Sequence, residues 1–165
     1  LSRRDFLRIV QRHQQSGVVL DTNALGFLIL PSHRTPADWR LTKDRRGPLH
    51  RELVNLACDK VTRWITTPHI LTEMSYFISK APEHLRRELT TAFRLYIAKA
   101  KEKSMPAKSI APTRWFDRLG LADSSQLMLG RPLPLFLTDD TALSIELENH
   151  GRSVIGLRSV EPLEE

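Results

Sequence analysis

A chain of 165 residues is about one domain's worth of sequence, long enough to bury a sizeable core. Hydrophobic residues at 41% and charged residues at 27% are those of an ordinary globular protein, and no stretch approaches the run of about 18 apolar residues that a membrane span requires. The 25 Lys+Arg against 19 Asp+Glu leave a formal net charge of +6, which favours polyanionic partners, while the single cysteine excludes an internal disulfide framework and a thiolate-rich zinc site.

That cysteine, Cys58, reads as a small apolar residue on the inner face of a helix, and its isolation leads us to expect a reducing, cytoplasmic location. No apolar region follows Leu1-Ser-Arg-Arg-Asp5, so no secretory signal is expected. The absent initiator methionine leads us to expect further sequence upstream.

In chain order, residues 3–14 place Phe6, Leu7, Ile9 and Val10 amid charge and predict a short amphipathic helix. Residues 17–21 read as a buried strand ending on Asp21, followed by a helix over 22–30 that Pro31 terminates. Residues 32–48 are basic and contain proline, with Arg34, Arg40, Lys43, Arg45 and Arg46 around Trp39, and read as an exposed loop. Helical spacing resumes over 49–60. A short strand over 64–67 precedes a helix over 68–79 that Pro68 is placed to open, and Pro82 opens a long helix to about residue 103. A linker through Pro106 and Pro112 leads to a helix from about Ala122. Residues 134–138 predict a third buried strand, 141–149 a helix capped near Gly151, and 153–157 a last strand. Strands alternating with helices predict one α/β domain, residues 1–165, with a central parallel sheet flanked by helices on both faces.

The informative feature is where the acids fall. Asp21 follows one buried strand, and Asp139 and Asp140 follow another; in open α/β sheets the carboxyl ends of the strands form the binding edge. Glu73 sits one turn or so into the helix after the second strand, and Asp123 stands at the start of a helix, at what reads as a further strand-to-helix boundary. Taken singly, Asp21, Asp123 and Asp139 are good helix N-caps and Glu73 an ordinary surface charge. Together they predict like charges at one edge of a basic chain, a cluster that repels itself unless a cation neutralises it. Oxygen donors without cysteine or paired histidine favour Mg²⁺ or Mn²⁺ over zinc, and such a cation activates water and neutralises a phosphate under attack.

Four segments carry a family resemblance: VVLDTN at residues 18–23, TTPHILTE at 66–73, LGLADS at 119–124 and LTDD at 137–140. In order and rough spacing they resemble the signature segments of PIN domains, over nearly the whole chain, and most resemble the VapC-like bacterial group. The resemblance implies a metal-dependent endoribonuclease, with catalytic acids at Asp21, Glu73, Asp123 and Asp140, and Asp139 sharing or replacing the last role as a metal ligand. Thr22, Asn23, Ser124 and Thr138 match supporting polar positions, with helix capping at least as good a reading for Thr22 and Ser124. The resemblance also implies a toxin held by a cognate antitoxin, and a homodimer.

Residues 32–48 make the gap between Asp21 and Glu73 longer than expected of a compact toxin. Arg40, Lys43, Arg45 and Arg46 are candidate RNA contacts there, through phosphates and stacking around Trp39; a solvated loop with its aromatic tucked down is an equal reading. His69 reads as structural, and His13, His33, His50, His84 and His150 show no ligand spacing. A catalytically silent binding module and a DNA-directed nuclease are the competing functions. Phe6, Ile9 and Val10 are expected either to complete the core or to join a neighbouring subunit.

Overall fold

Successive side chains of a strand point to opposite faces, and Val18, Val19 and Leu20 of β1 (Val18–Leu20) are all buried, so both faces of this strand are covered. The computed structural model describes residues 1–44 and 46–162. In it, β1 is the central strand of a five-stranded, all-parallel sheet in the order β3-β2-β1-β4-β5, completed by β2 (Trp64–Thr66), β3 (Lys101–Glu102), β4 (Leu135–Thr138) and β5 (Val154–Gly156). The chain is thus mixed α/β, with the Asp21 strand at the centre as expected. β2 and β3 extend the sheet to one side and β4 and β5 to the other. The strand order therefore reverses between β1 and β4, and the crevice at a parallel sheet's carboxyl edge opens at such a reversal.

The helices are α1 (Arg3–Arg12), α2 (Thr22–Ile29), α3 (Gly47–Lys60), α4 (Pro68–Ser79), α5 (Glu83–Lys99), α6 (Ala107–Ile110), α7 (Phe116–Leu127) and α8 (Thr141–Asn149). Those that follow β1, β2 and β4 begin on side chains that accept amide protons of the first turn: Asp21 from Ala24, Thr67 from Ile70 and Asp140 from Leu143. The same residues that stop the strands therefore start the helices. Among the described residues, no helix is long and apolar enough to cross a membrane.

Several expectations are corrected. The helix expected to reach residue 103 stops at Lys99; Ala100 is extended, and Lys101–Glu102 form the edge strand β3, whose end is fixed by the Lys103 amide donating to the Thr66 carbonyl at 2.8 Å. An edge strand this short, charged and exposed has no apolar alternation to reveal it. The linker contains α6. The helix expected from Ala122 begins at Phe116 and breaks at Gly120, whose φ of +73° favours glycine. Asp123 accordingly follows a kink between two helical segments, not a strand.

Residues 32–48 are not a simple exposed loop. Trp39 is 2% exposed, Pro36–Asp38 form a 3-10 turn, and the Thr42 hydroxyl donates to the carbonyls of Pro36 and Trp39. Arg51 staples the segment from α3, donating to the carbonyls of Leu30, Pro31 and Arg34. The tucked-down reading of Trp39 is the one observed.

Buried apolar side chains from Phe6 to Val160 form one cluster. Phe6 and Val10 of α1 are fully buried within the chain and so are not available to a neighbouring subunit, while Ile9 is half-buried against the same core. Gly17, just before β1, has φ +91°, and a Cβ there would lie 2.6 Å from the Arg63 carbonyl oxygen, which accepts from the Val18 amide. Replacing Phe6 with Ala is predicted to cost about 3–5 kcal/mol. Urea unfolding checks it, and the loss relative to wild type should be the same at every protein concentration; a loss that changes with concentration would place Phe6 at a subunit boundary instead.

Candidate active site

β1 and β4 are neighbours, so the residues that leave their carboxyl ends meet. Asp21, 2% exposed, is held on both carboxylate oxygens: Oδ1 accepts from the Ala24 amide at 2.6 Å, and Oδ2 accepts from the Asp139 amide at 3.1 Å and from the Thr138 hydroxyl. The Thr138 hydroxyl, from the end of β4, thus holds Asp21 in place. Burial pushes the Asp21 carboxyl up to about 6, against the pull of those hydrogen bonds.

Glu73, half-buried on α4, accepts from the hydroxyl of Thr22, the first residue of α2. Thr22 thus joins the helices that follow β1 and β2. Asp140 caps α8 through the Leu143 amide at 2.9 Å, and its own amide donates to Thr138 Oγ1 at 2.9 Å.

Asp123 is the point where these acids meet. Its carboxyl is pushed up to about 8, first by burial and then by the charges of Asp21, Glu73 and Asp140. Its Oδ1 accepts from Gln126 Nε2 at 3.3 Å. Ser125 donates to the Ala122 carbonyl at 2.6 Å, so the 2.7 Å contact between Thr67 and Ser125 is made by the Thr67 hydroxyl donating. That bond ties the start of the Glu73 helix to the Asp123 helix, and nothing in the sequence pattern marked Thr67 or Ser125 for it.

The other expected site residues are placed as follows. Asp139, whose charge also acts on Asp21, has partners of its own: its carboxylate accepts from Arg158 Nε at 3.1 Å and Nη2 at 3.4 Å, and the fully buried His50 brings Nδ1 within 3.4 Å of Oδ1 without hydrogen-bond alignment. Burial holds the His50 imidazole below its ordinary range, against the pull of Asp139. Neither His50 nor Arg158 was singled out from the sequence, because the fold alone brings residues of α3 and the segment after β5 to Asp139. Ser124 is fully buried and its hydroxyl has no partner among the described residues; Asn23 is half-buried and makes no hydrogen bond to the acids. Arg40, Lys43 and Arg46 are exposed, and Arg46 donates to the Arg158 carbonyl at 2.6 Å. Arg45 lies outside the described residues. His69 Nε2 donates to the Met105 carbonyl at 2.8 Å, a structural role.

The acids supply only oxygen donors, and the crowding of negative charge around Asp123 is what a hard cation relieves. Among the described residues, no three or more His, Cys, Asp or Glu side chains are already closed into a metal-binding group. No family model matches the chain, and no curated protein matches it.

A carboxyl raised in the folded state stabilises the fold while protonated and loses that contribution as pH rises. For Asp21 the loss runs from about 4 to about 6, and for Asp123 from about 4 to about 8. Thermal unfolding in EDTA should therefore show wild-type stability falling between pH 6 and 8, while Asp123→Asn stays nearly level over that window. Millimolar Mg²⁺ should raise the midpoint of wild type at pH 8 and not that of the variant. Parallel wild-type and variant curves would contradict the electrostatic coupling.

Proposed function

We propose that this protein is a divalent-cation-dependent nuclease of PIN-like type that hydrolyses phosphodiester bonds of RNA. The observation that carries the reading is how four acids from distant segments are tied together: Thr138 binds Asp21 beside the Asp140 cap, Thr22 joins Glu73 to the Asp21 helix, the Thr67–Ser125 bond joins the helices of Glu73 and Asp123, and Asp123 feels the charges of the other three. The resemblance of those four segments to PIN signatures, and the net charge of +6 around an acidic centre, support it.

Asp21, Asp123, Asp140 and Glu73 would hold Mg²⁺ or Mn²⁺, which supplies activation of water and neutralisation of charge on the phosphate. The chain's own contribution is positional and electrostatic. Thr138 and two backbone amides lock Asp21, Thr22 locks Glu73, and the capping bond locks Asp140. Burial and the charges of Asp21, Glu73 and Asp140 favour a protonated Asp123 carboxyl, and a cation held among them would favour its ionised form. Asp139, paired with Arg158, fixes the β4 end through its amide and leaves the fourth role to Asp140.

The VapC-like resemblance extends the proposal to a cytoplasmic toxin with a cognate antitoxin. A homodimer belongs to the same proposal, and Leu95, 69% exposed, and Ile97 on α5 are the apolar side chains it would cover.

Purified protein incubated with labelled RNA should cleave it with Mn²⁺ and not with EDTA, and the DNA counterpart should be cut more slowly. Asp21→Asn and Asp123→Asn should each lower the rate by more than about a hundredfold while remaining folded by circular dichroism. Cleavage that persists in EDTA, or in both variants, would refute the reading.

A further inference from the structure

We infer that the cavity beside Glu73 is a subsite for an unpaired nucleotide, with Tyr76 as the stacking platform and Arg40 and Lys80 as phosphate contacts. The cavity, about 490 Å³, is lined by Asn23, Trp39, Arg40, Tyr76, Phe77 and Lys80. It lies against the two helices that carry Asp21 and Glu73. Asn23 lies two residues past Asp21, and Tyr76 and Phe77 lie three and four residues past Glu73, where side chains on a helix are neighbours.

Tyr76 is 58% exposed, so its ring is open to a ligand and not taken up by the core. Phe77, half-buried, packs edge-on against it with centroids 5.7 Å apart, which braces the ring from one side. Lys80 Nζ lies 5.5 Å from the Tyr76 centroid, so the platform carries its own cation. Arg40 and Lys80 are exposed and have no carboxylate partner among the described residues, in contrast to Arg34, paired with Glu88, and Arg158, paired with Asp139. Trp39, buried, forms the floor and is not itself the stacking surface.

An exposed ring flanked by unpaired cations matches single-stranded nucleic acid, whose bases offer a face for stacking and whose phosphates follow the backbone. A duplex keeps its bases stacked on one another and presents none to Tyr76. The subsite would place an unpaired nucleotide one helical turn from Glu73, and as a substrate subsite it rests on the nuclease reading above.

The test is anisotropy of a fluorescein-labelled single-stranded RNA ten-mer and of its duplex, in EDTA so that binding is read without cleavage. Tyr76→Ala should weaken single-strand binding at least about tenfold, and Tyr76→Phe should stay within about threefold of wild type. Arg40→Glu and Lys80→Glu should each flatten the slope of log Kd against log salt by about 0.7 or more. Equal thermal midpoints would confirm that these exposed substitutions leave the fold intact. Single-strand binding unchanged in Tyr76→Ala, or duplex bound as tightly as single strand, would overturn the subsite. Cleavage of the same RNA with Mn²⁺ separates the two claims. Tyr76-dependent binding without cleavage keeps the subsite and discards the nuclease; cleavage with Tyr76-independent binding does the reverse.

Discussion

Like charges at one end of a sheet repel, and burying them makes the repulsion stronger, because the surrounding medium screens less. Asp21 is buried, and Asp123 faces it together with Glu73 and Asp140. The local architecture can be understood as what keeps that arrangement in place. Thr138, the last residue of β4, and the amides of Ala24 and Asp139 surround the Asp21 carboxylate with donors. Hydrogen bonds of this kind favour the charged form and offset part of the cost of burial. Thr22 does the same for Glu73 from the neighbouring helix. Because each donor comes from an element that the parallel sheet already aligns, the acids are held without dedicated loops.

The same logic explains why two adjacent aspartates take different roles. Asp140 has the backbone conformation of an N-cap and turns its carboxylate to the Leu143 amide, beside the other acids. Asp139 sets its carboxylate against a guanidinium and a buried imidazole. A carboxylate with Arg158 at hydrogen-bonding distance already has its counter-charge, so it adds little to the attraction of the centre for a cation. Arg158 also reaches Asp44 at 3.5 Å, and Arg46 donates to its carbonyl, which anchors residues 32–48 to the end of β5. Part of the basic character of that segment is therefore structural.

What was legible in the sequence follows from how local each signal is. Asp21 and Asp140 end strands and begin helices within a few residues, so turn chemistry and apolar runs locate them, and the central place of β1 follows from its continuous apolar character. Glu73 is located by Pro68 at the start of its helix. Asp123 was recognisable as a helix-start acid, yet the element before it was misread, since the Gly120 kink between two helical turns has the same local pattern as a strand end. β3 was hidden because Lys101 and Glu102 are exposed and charged, and its evidence is a pairing with Ile65 and Thr66 far along the chain. The partners of Asp139 were equally non-local, since His50 and Arg158 reach it from distant parts of the chain. Trp39 among arginines left a binding surface and a tucked-down aromatic equally open, and only the fold decides for the second, with Trp39 buried and Tyr76 exposed.

The central claim is that Asp123 titrates as a member of a four-acid cluster that a cation can neutralise. Carbon-13 NMR of the aspartate side-chain carboxyls, followed against pH in EDTA and again in Mg²⁺, reads this directly. The account predicts an Asp123 carboxyl titrating near pH 8 without the cation, and one displaced toward the ordinary carboxylate range when Mg²⁺ is present. An Asp123 resonance that titrates near pH 4 in both conditions would contradict it.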